Sequence, residues 1–172
     1  MPSRELLRDL LRHMEWADAR VWAAVPTEEP ADPRLHRLLL HIHTVQFAFL
    51  TIWRGGDLNE VFNRASAASS RLADVVSWAH TYYPQAYAFL DALHDEGLAQ
   101  PVEMPWAAEV TNILGRVPGV TTLAETVVQV TSHSTYHRGQ VNLCLRDLGA
   151  EPPLVDYIAW LWNGRPAAEW KA

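Results

Sequence analysis

Apolar residues recur along this chain at spacings of three and four, the period of helices that each bury one face. The first run carries Leu6, Leu7, Leu10, Leu11, Met14, Ala17, Val21 and Trp22, with Ser3 placed to cap it and Pro26 to stop it. A second starts at Asp32-Pro33, a capping carboxylate followed by proline in the first turn. It continues through Leu35, Leu38, Leu39, Ile42, Val45, Phe49 and Ile52 to Gly55-Gly56. Small and polar residues from Asp57 to Ser70 predict a loop, with a turn of helix around Val61 and Phe62. A third helix follows from Leu72 through Val75, Ala79, Tyr82, Tyr83, Ala86, Phe89 and Leu90 to Leu93, ending near Gly97. Pro84 falls inside it, removes one hydrogen bond and predicts a bend.

Between Gly97 and Thr122 the pattern breaks. Pro101, Pro105, Gly115, Pro118 and Gly119 punctuate short apolar runs and predict a small hairpin or irregular excursion rather than a helix. Thr122-Leu123-Ala124-Glu125 then has the form of a capping box, and a fourth long helix runs through Val127, Val130, Ser134, Val141 and Leu145 to Gly149. Beyond Glu151-Pro152-Pro153, the aromatic segment from Asp156 to Trp162 predicts a fifth, short helix. The expected fold is all-α: one domain over 1–172, a four-helix bundle with an additional short C-terminal helix.

Composition narrows the function classes. A chain of 172 residues with 49% hydrophobic content suits a single core. A net charge of −6, with 14 Lys and Arg scattered along the chain, argues against a nucleic-acid surface. Cys144 is the one cysteine, so no intramolecular disulfide forms. No apolar leader and no run of about 18 apolar residues occurs, and the expectation is a soluble cytoplasmic protein with no membrane partner. The eight tryptophans read chiefly as core filler, the remainder lining a pocket or interface.

The fourth helix carries the candidate chemistry. His133 and His137, four residues apart, stack on one face one turn apart and make two ligands of a metal site. A third can come from His41 or His43 on the second helix. At ~100° per residue His41 lies about 70° from the apolar direction set by Leu38, Ile42, Val45 and Phe49, and His43 about 130° away on the opposite flank, beside Gln46. Periodicity leans toward His41 and makes His43 solvent-facing, although a rotation of the helix reverses the choice. Three histidines leave coordination positions open, as in catalytic rather than structural sites. Gln129 and Gln140, one turn to either side of the pair, are candidates to orient an imidazole or contact substrate. Cys144, roughly 10 Å further along the helix than His137, reads as a core thiol. His13, His36, His80 and His94 lack partner spacing and read as structural or solvent-facing. There is no His-Glu-x-x-His, Gly-x-Ser-x-Gly, phosphate loop or zinc-knuckle spacing.

The run His133-x3-His137-Arg138-Gly139-Gln140, then Leu145-Arg146-Asp147-Leu148-Gly149, Pro152-Pro153 and Asp156-Tyr157, resembles the DinB/YfiT-like superfamily of metal-dependent helical bundle proteins. Trp16-Ala17-Asp18, Leu40-His41-Ile42, Trp53 and Gly55 extend the resemblance over nearly the whole chain. It implies that His133 and His137 are metal ligands with a helix-two histidine as the third, and His41 stands before Gly55 at the family's usual spacing better than His43 does. It also implies nickel or zinc, a homodimer, a small-molecule substrate and, in some branches, transfer or isomerisation reactions that use a low-molecular-weight thiol. Two readings of an enzyme stay open: a thiol S-transferase, or a hydrolase that uses a metal-bound water. A third reading is a non-enzymatic metal-binding stress protein or dimeric helical module.

Overall fold

The computed structural model describes residues 2–26 and 32–170. Helix α1 (Arg4–Ala24) starts where the Ser3 hydroxyl accepts from the Leu6 amide at 3.2 Å. Helix α2 (Pro33–Trp53) starts where the Asp32 carboxylate accepts from the Arg34 and Leu35 amides at 2.7 and 3.1 Å. The segment expected to be a loop is a helix, α3 (Leu58–Ala68), capped by Asp57 and burying Val61, Ala65 and Ala68. Val61, Ala65 and Ala68 stand at helical spacing and cover a face against α2, and it is the small and polar residues around them that read as a loop.

The expected third helix is two. α4 (Leu72–His80) and α5 (Tyr82–Ala92) part at Thr81, and Pro84 stands in the first turn of α5. Proline has no N–H for the carbonyl of His80 and its ring clashes there, so the break falls one turn earlier than the proline itself. α6 (Asp95–Leu98) leads to β1 (Pro101–Val102), which pairs antiparallel with β2 (Thr121–Thr122), Pro101 opposite Thr122. The excursion between the strands contains a helix the pattern did not predict, α7 (Ala107–Leu114), which buries none of its residues and ends at Gly115 in the left-handed region. Val110, Ile113 and Leu114 do stand at helical spacing, but the run is short, and Pro105, Gly115, Pro118 and Gly119 around it read as breakers. α8 (Leu123–Asp147) opens with the expected capping box between Thr122 and Glu125, and α9 (Tyr157–Trp162) closes the fold.

The long helices pack as a bundle in which α8 lies against both α1 and α2. One apolar cluster joins Leu7, Leu11 and Met14 to Phe47, Leu50, Tyr82, Leu90, Val127 and Val130. A second joins Val21, Leu35, Leu39 and Ile42 to Val141, Cys144 and Leu145. Along α1, α2 and α8 alike, buried polar residues fall between the two. Asp18 and Arg138, each 2% exposed, form an ion pair at 2.7 Å. Tyr83 donates its hydroxyl to the same carboxylate, and Gln46 donates to Asp18 at 2.8 Å and to Ser134 at 3.2 Å. Arg138 also donates to Thr135 at 2.8 Å.

Burial alone raises a carboxyl pKa; the Arg138 guanidinium, with the Tyr83 and Gln46 donors, outweighs it and holds Asp18 below its ordinary 3.8. A depressed folded-state pKa makes the stabilisation complete above the ordinary value. It drains away as pH falls through the folded-state pKa. Asp18→Asn leaves the Arg138 charge buried and unpaired and is expected to cost about 3–5 kcal/mol in chemical denaturation at pH 7. The joint replacement Asp18→Leu with Arg138→Met is expected to cost less than either single change. A loss below about 1 kcal/mol in both single variants contradicts this role for the pair.

Candidate metal centre

The network between the clusters fixes how α2 and α8 face one another, and His41, His133 and His137 meet on the flank that results. Their potential ligand atoms all lie within 4.8 Å of one another. Ring centroids are 5.1 Å apart for His41 and His133, 4.5 Å for His41 and His137, and 4.4 Å for His133 and His137. The Nε2 atoms of His41 and His133 stand 3.1 Å apart, close to the roughly 3 Å kept by two nitrogens bound at ~2.0–2.1 Å to one ion.

The rings are held in the form a cation needs. Burial and the neighbouring imidazoles push His133 down to about 4, and burial and His137 lower His41, so both are neutral with a lone pair at pH 7. His137 Nδ1 lies 2.7 Å from Gln140 Oε1. An amide oxygen only accepts, so Nδ1 of His137 is the donor to Gln140, and Nε2 is the nitrogen left to face an ion. Three imidazole nitrogens with no carboxylate among them suit a divalent transition metal, and not calcium or magnesium, which take oxygen ligands.

The other candidates sit elsewhere. His43, expected to face solvent or to serve as an alternative ligand, is 1% exposed. Its Nε2 accepts from the Trp22 indole at 2.9 Å and its Nδ1 donates to Gln46 Oε1 at 2.9 Å, so neither nitrogen is left for an ion. Hydropathy marks His43 and Gln46 as polar, and polar residues that bury as a matched set look like a solvated face in sequence. Cys144 packs in the second apolar cluster. His13, also buried, lies 2.8 Å from the Val155 carbonyl through Nε2 and packs against Tyr157 and Trp160.

A cleft of about 840 Å³ opens beside His41 and His133, walled by Val45, Ala48, Phe49, Phe62, Met104 and Trp106. Gln129 lines it one turn before His133 and makes no hydrogen bond to an imidazole among the described residues. Glu125 lines it too, and sequence reasoning used it only as a cap. The signal was present: Glu125, Gln129, His133 and His137 recur every fourth residue and form one ladder along α8.

Fold and site together define a helical bundle whose last long helix presents a histidine pair to a histidine of a second helix, over an open cleft. The chain belongs to the DinB family: the model of that family matches residues 3–171, as the histidine and C-terminal motifs led us to expect. No curated protein matches the chain. No helix among the described residues is long and apolar enough to cross a membrane.

Gln140→Ala frees the Nδ1 end of His137 and is expected to weaken zinc binding about 10- to 100-fold in a competition titration against a chromophoric chelator. Gln129→Ala is expected to leave it unchanged. Equal effects of the two substitutions contradict the orienting role of Gln140.

Proposed function

We propose that this protein is a metal-dependent enzyme that transfers a low-molecular-weight thiol to an electrophilic small molecule, with nickel or zinc held by His41, His133 and His137. The observation that carries the reading is three imidazoles converging beside a cleft large enough for a small molecule. A divalent cation held there would supply a Lewis acid able to lower the pKa of a thiol toward neutrality.

The chain's own residues supply the rest. His41 and His133 keep their lone pairs because burial and mutual repulsion disfavour their protonation. Gln140 orients His137 by accepting a hydrogen bond from its Nδ1–H, which leaves Nε2 facing the other two rings. Phe49, Trp106 and Met104 give the cleft beside the histidines an apolar wall, which suits an apolar electrophile. A hydrolase needs a group to take a proton from water. The histidine cluster contains no carboxylate, and Glu125 stands two turns of α8 away, bonded to Thr122; this favours a thiol, which ionises more readily than water.

The test is a steady-state assay of zinc- and nickel-loaded protein with several cellular thiols against alkyl and aryl halides and epoxides. The expected outcome is thioether formation that saturates in thiol and falls at least about 100-fold in His133→Ala, as removal of a directly acting group does. Rates no higher than those of the metal-free protein with every thiol overturn the transferase reading. Ester or amide hydrolysis under the same conditions replaces it with the hydrolase.

A further inference from the structure

The ladder on α8 gives the cleft two chemically different ends. Eight residues separate Glu125 from His133, about 12 Å at 1.5 Å per residue, with Gln129 midway and both ends lining the same cavity. None of the residues lining it is Lys or Arg. Apart from the histidines, Glu125 is the one ionisable group among the described residues that line it.

Both hydrogen bonds that Thr122 donates to that carboxylate end on one oxygen: its amide at 2.7 Å and its hydroxyl at 2.8 Å both go to Oε2. These donors favour the ionised form, and the pKa lies below the ordinary carboxylate value. Oε1 takes no part in the cap. The wall between the two ends is aromatic, with Phe49 and Trp106 edge to face at 5.6 Å between centroids. An aromatic wall beside a fixed negative charge favours rings and cations and disfavours anions.

We propose that the cleft selects an apolar, ring-bearing small molecule carrying an amine or hydroxyl donor about 10 Å from its reacting atom, received by Glu125, and rejects molecules with an anionic group at that end. This rests on the thiol-transfer reading for what happens at the histidine end, and names the electrophile's class. Glu125 is then a specificity-determining residue as well as a helix cap. The charge is exposed, so its discrimination is modest, whereas the aromatic wall sets the affinity common to all ligands.

The experiment is calorimetric titration with three compounds on one skeleton, naphthylethylamine, naphthylethanol and naphthylacetate. It uses full-length wild-type protein, Glu125→Gln and Trp106→Ala. Glutamine serves a capping box as glutamate does, so Glu125→Gln removes the charge and spares the start of α8. Each titration is run on protein as purified and after chelator treatment, which separates coordination of the carboxylate by a metal from repulsion by Glu125.

In metal-free wild type the amine is expected to bind roughly three- to fivefold tighter than the carboxylate. The gap should close in Glu125→Gln, and Trp106→Ala should weaken all three ligands together. Equal binding of amine and carboxylate, a gap that survives Glu125→Gln, or no binding of any of the three at millimolar concentration overturns the proposal. Because the readout needs neither metal nor turnover, failure of the thiol-transfer reading leaves this result standing, and failure here leaves that reading to its own assay.

Discussion

The buried ion pair between Asp18 and Arg138 is the constraint on which the remainder of the molecule turns. A pair taken this far out of water adds little net stability when intact, but it is costly to break, so it strongly disfavours any arrangement that separates its partners. Arg138 is the neighbour of His137, and Ser134, which accepts from Gln46, is the neighbour of His133. Directing residues 134 and 138 into the core sets the rotation of α8 about its axis, and that rotation turns His133 and His137 toward the flank of α2.

The same network chooses the histidine of α2. His41 and His43 point about 160° apart on a helix, so one rotation presents only one of them. His43 is drawn inward because it bridges Trp22 and Gln46, and Gln46 in turn binds Asp18. His41 is thereby placed against His133. A polar core that looks like a cost to stability thus acts as the alignment device of the site, while the apolar clusters on either side of it supply the burial that holds the helices together.

How much of this could be read from the sequence depends on the range of the interaction. Helix starts were legible because Ser3, Asp32 and Thr122 act on amides two or three residues away. The histidine pair on α8 was legible because helical spacing alone puts both rings on one face. The Asp18 network was not, since its partners are up to 120 residues apart and each reads alone as a solvated polar residue. α3 and α7 escaped although both are amphipathic, because the small and polar residues of the one and the prolines and glycines flanking the other outweighed short periodic runs. Glu125 was seen in its local role only, and its place on the cleft wall depends on α2 and the segment around Trp106.

The central claim is that one divalent metal is held by His41, His133 and His137, with His43 serving the core instead. Elemental analysis of untagged protein, alongside His41→Ala and His43→Ala, tests it most directly. The account predicts about one nickel or zinc per chain in the wild type, lost in His41→Ala. It predicts retention in His43→Ala, whose defect should be in stability. Wild-type protein that neither contains nor takes up metal, or metal lost in His43→Ala and kept in His41→Ala, contradicts it.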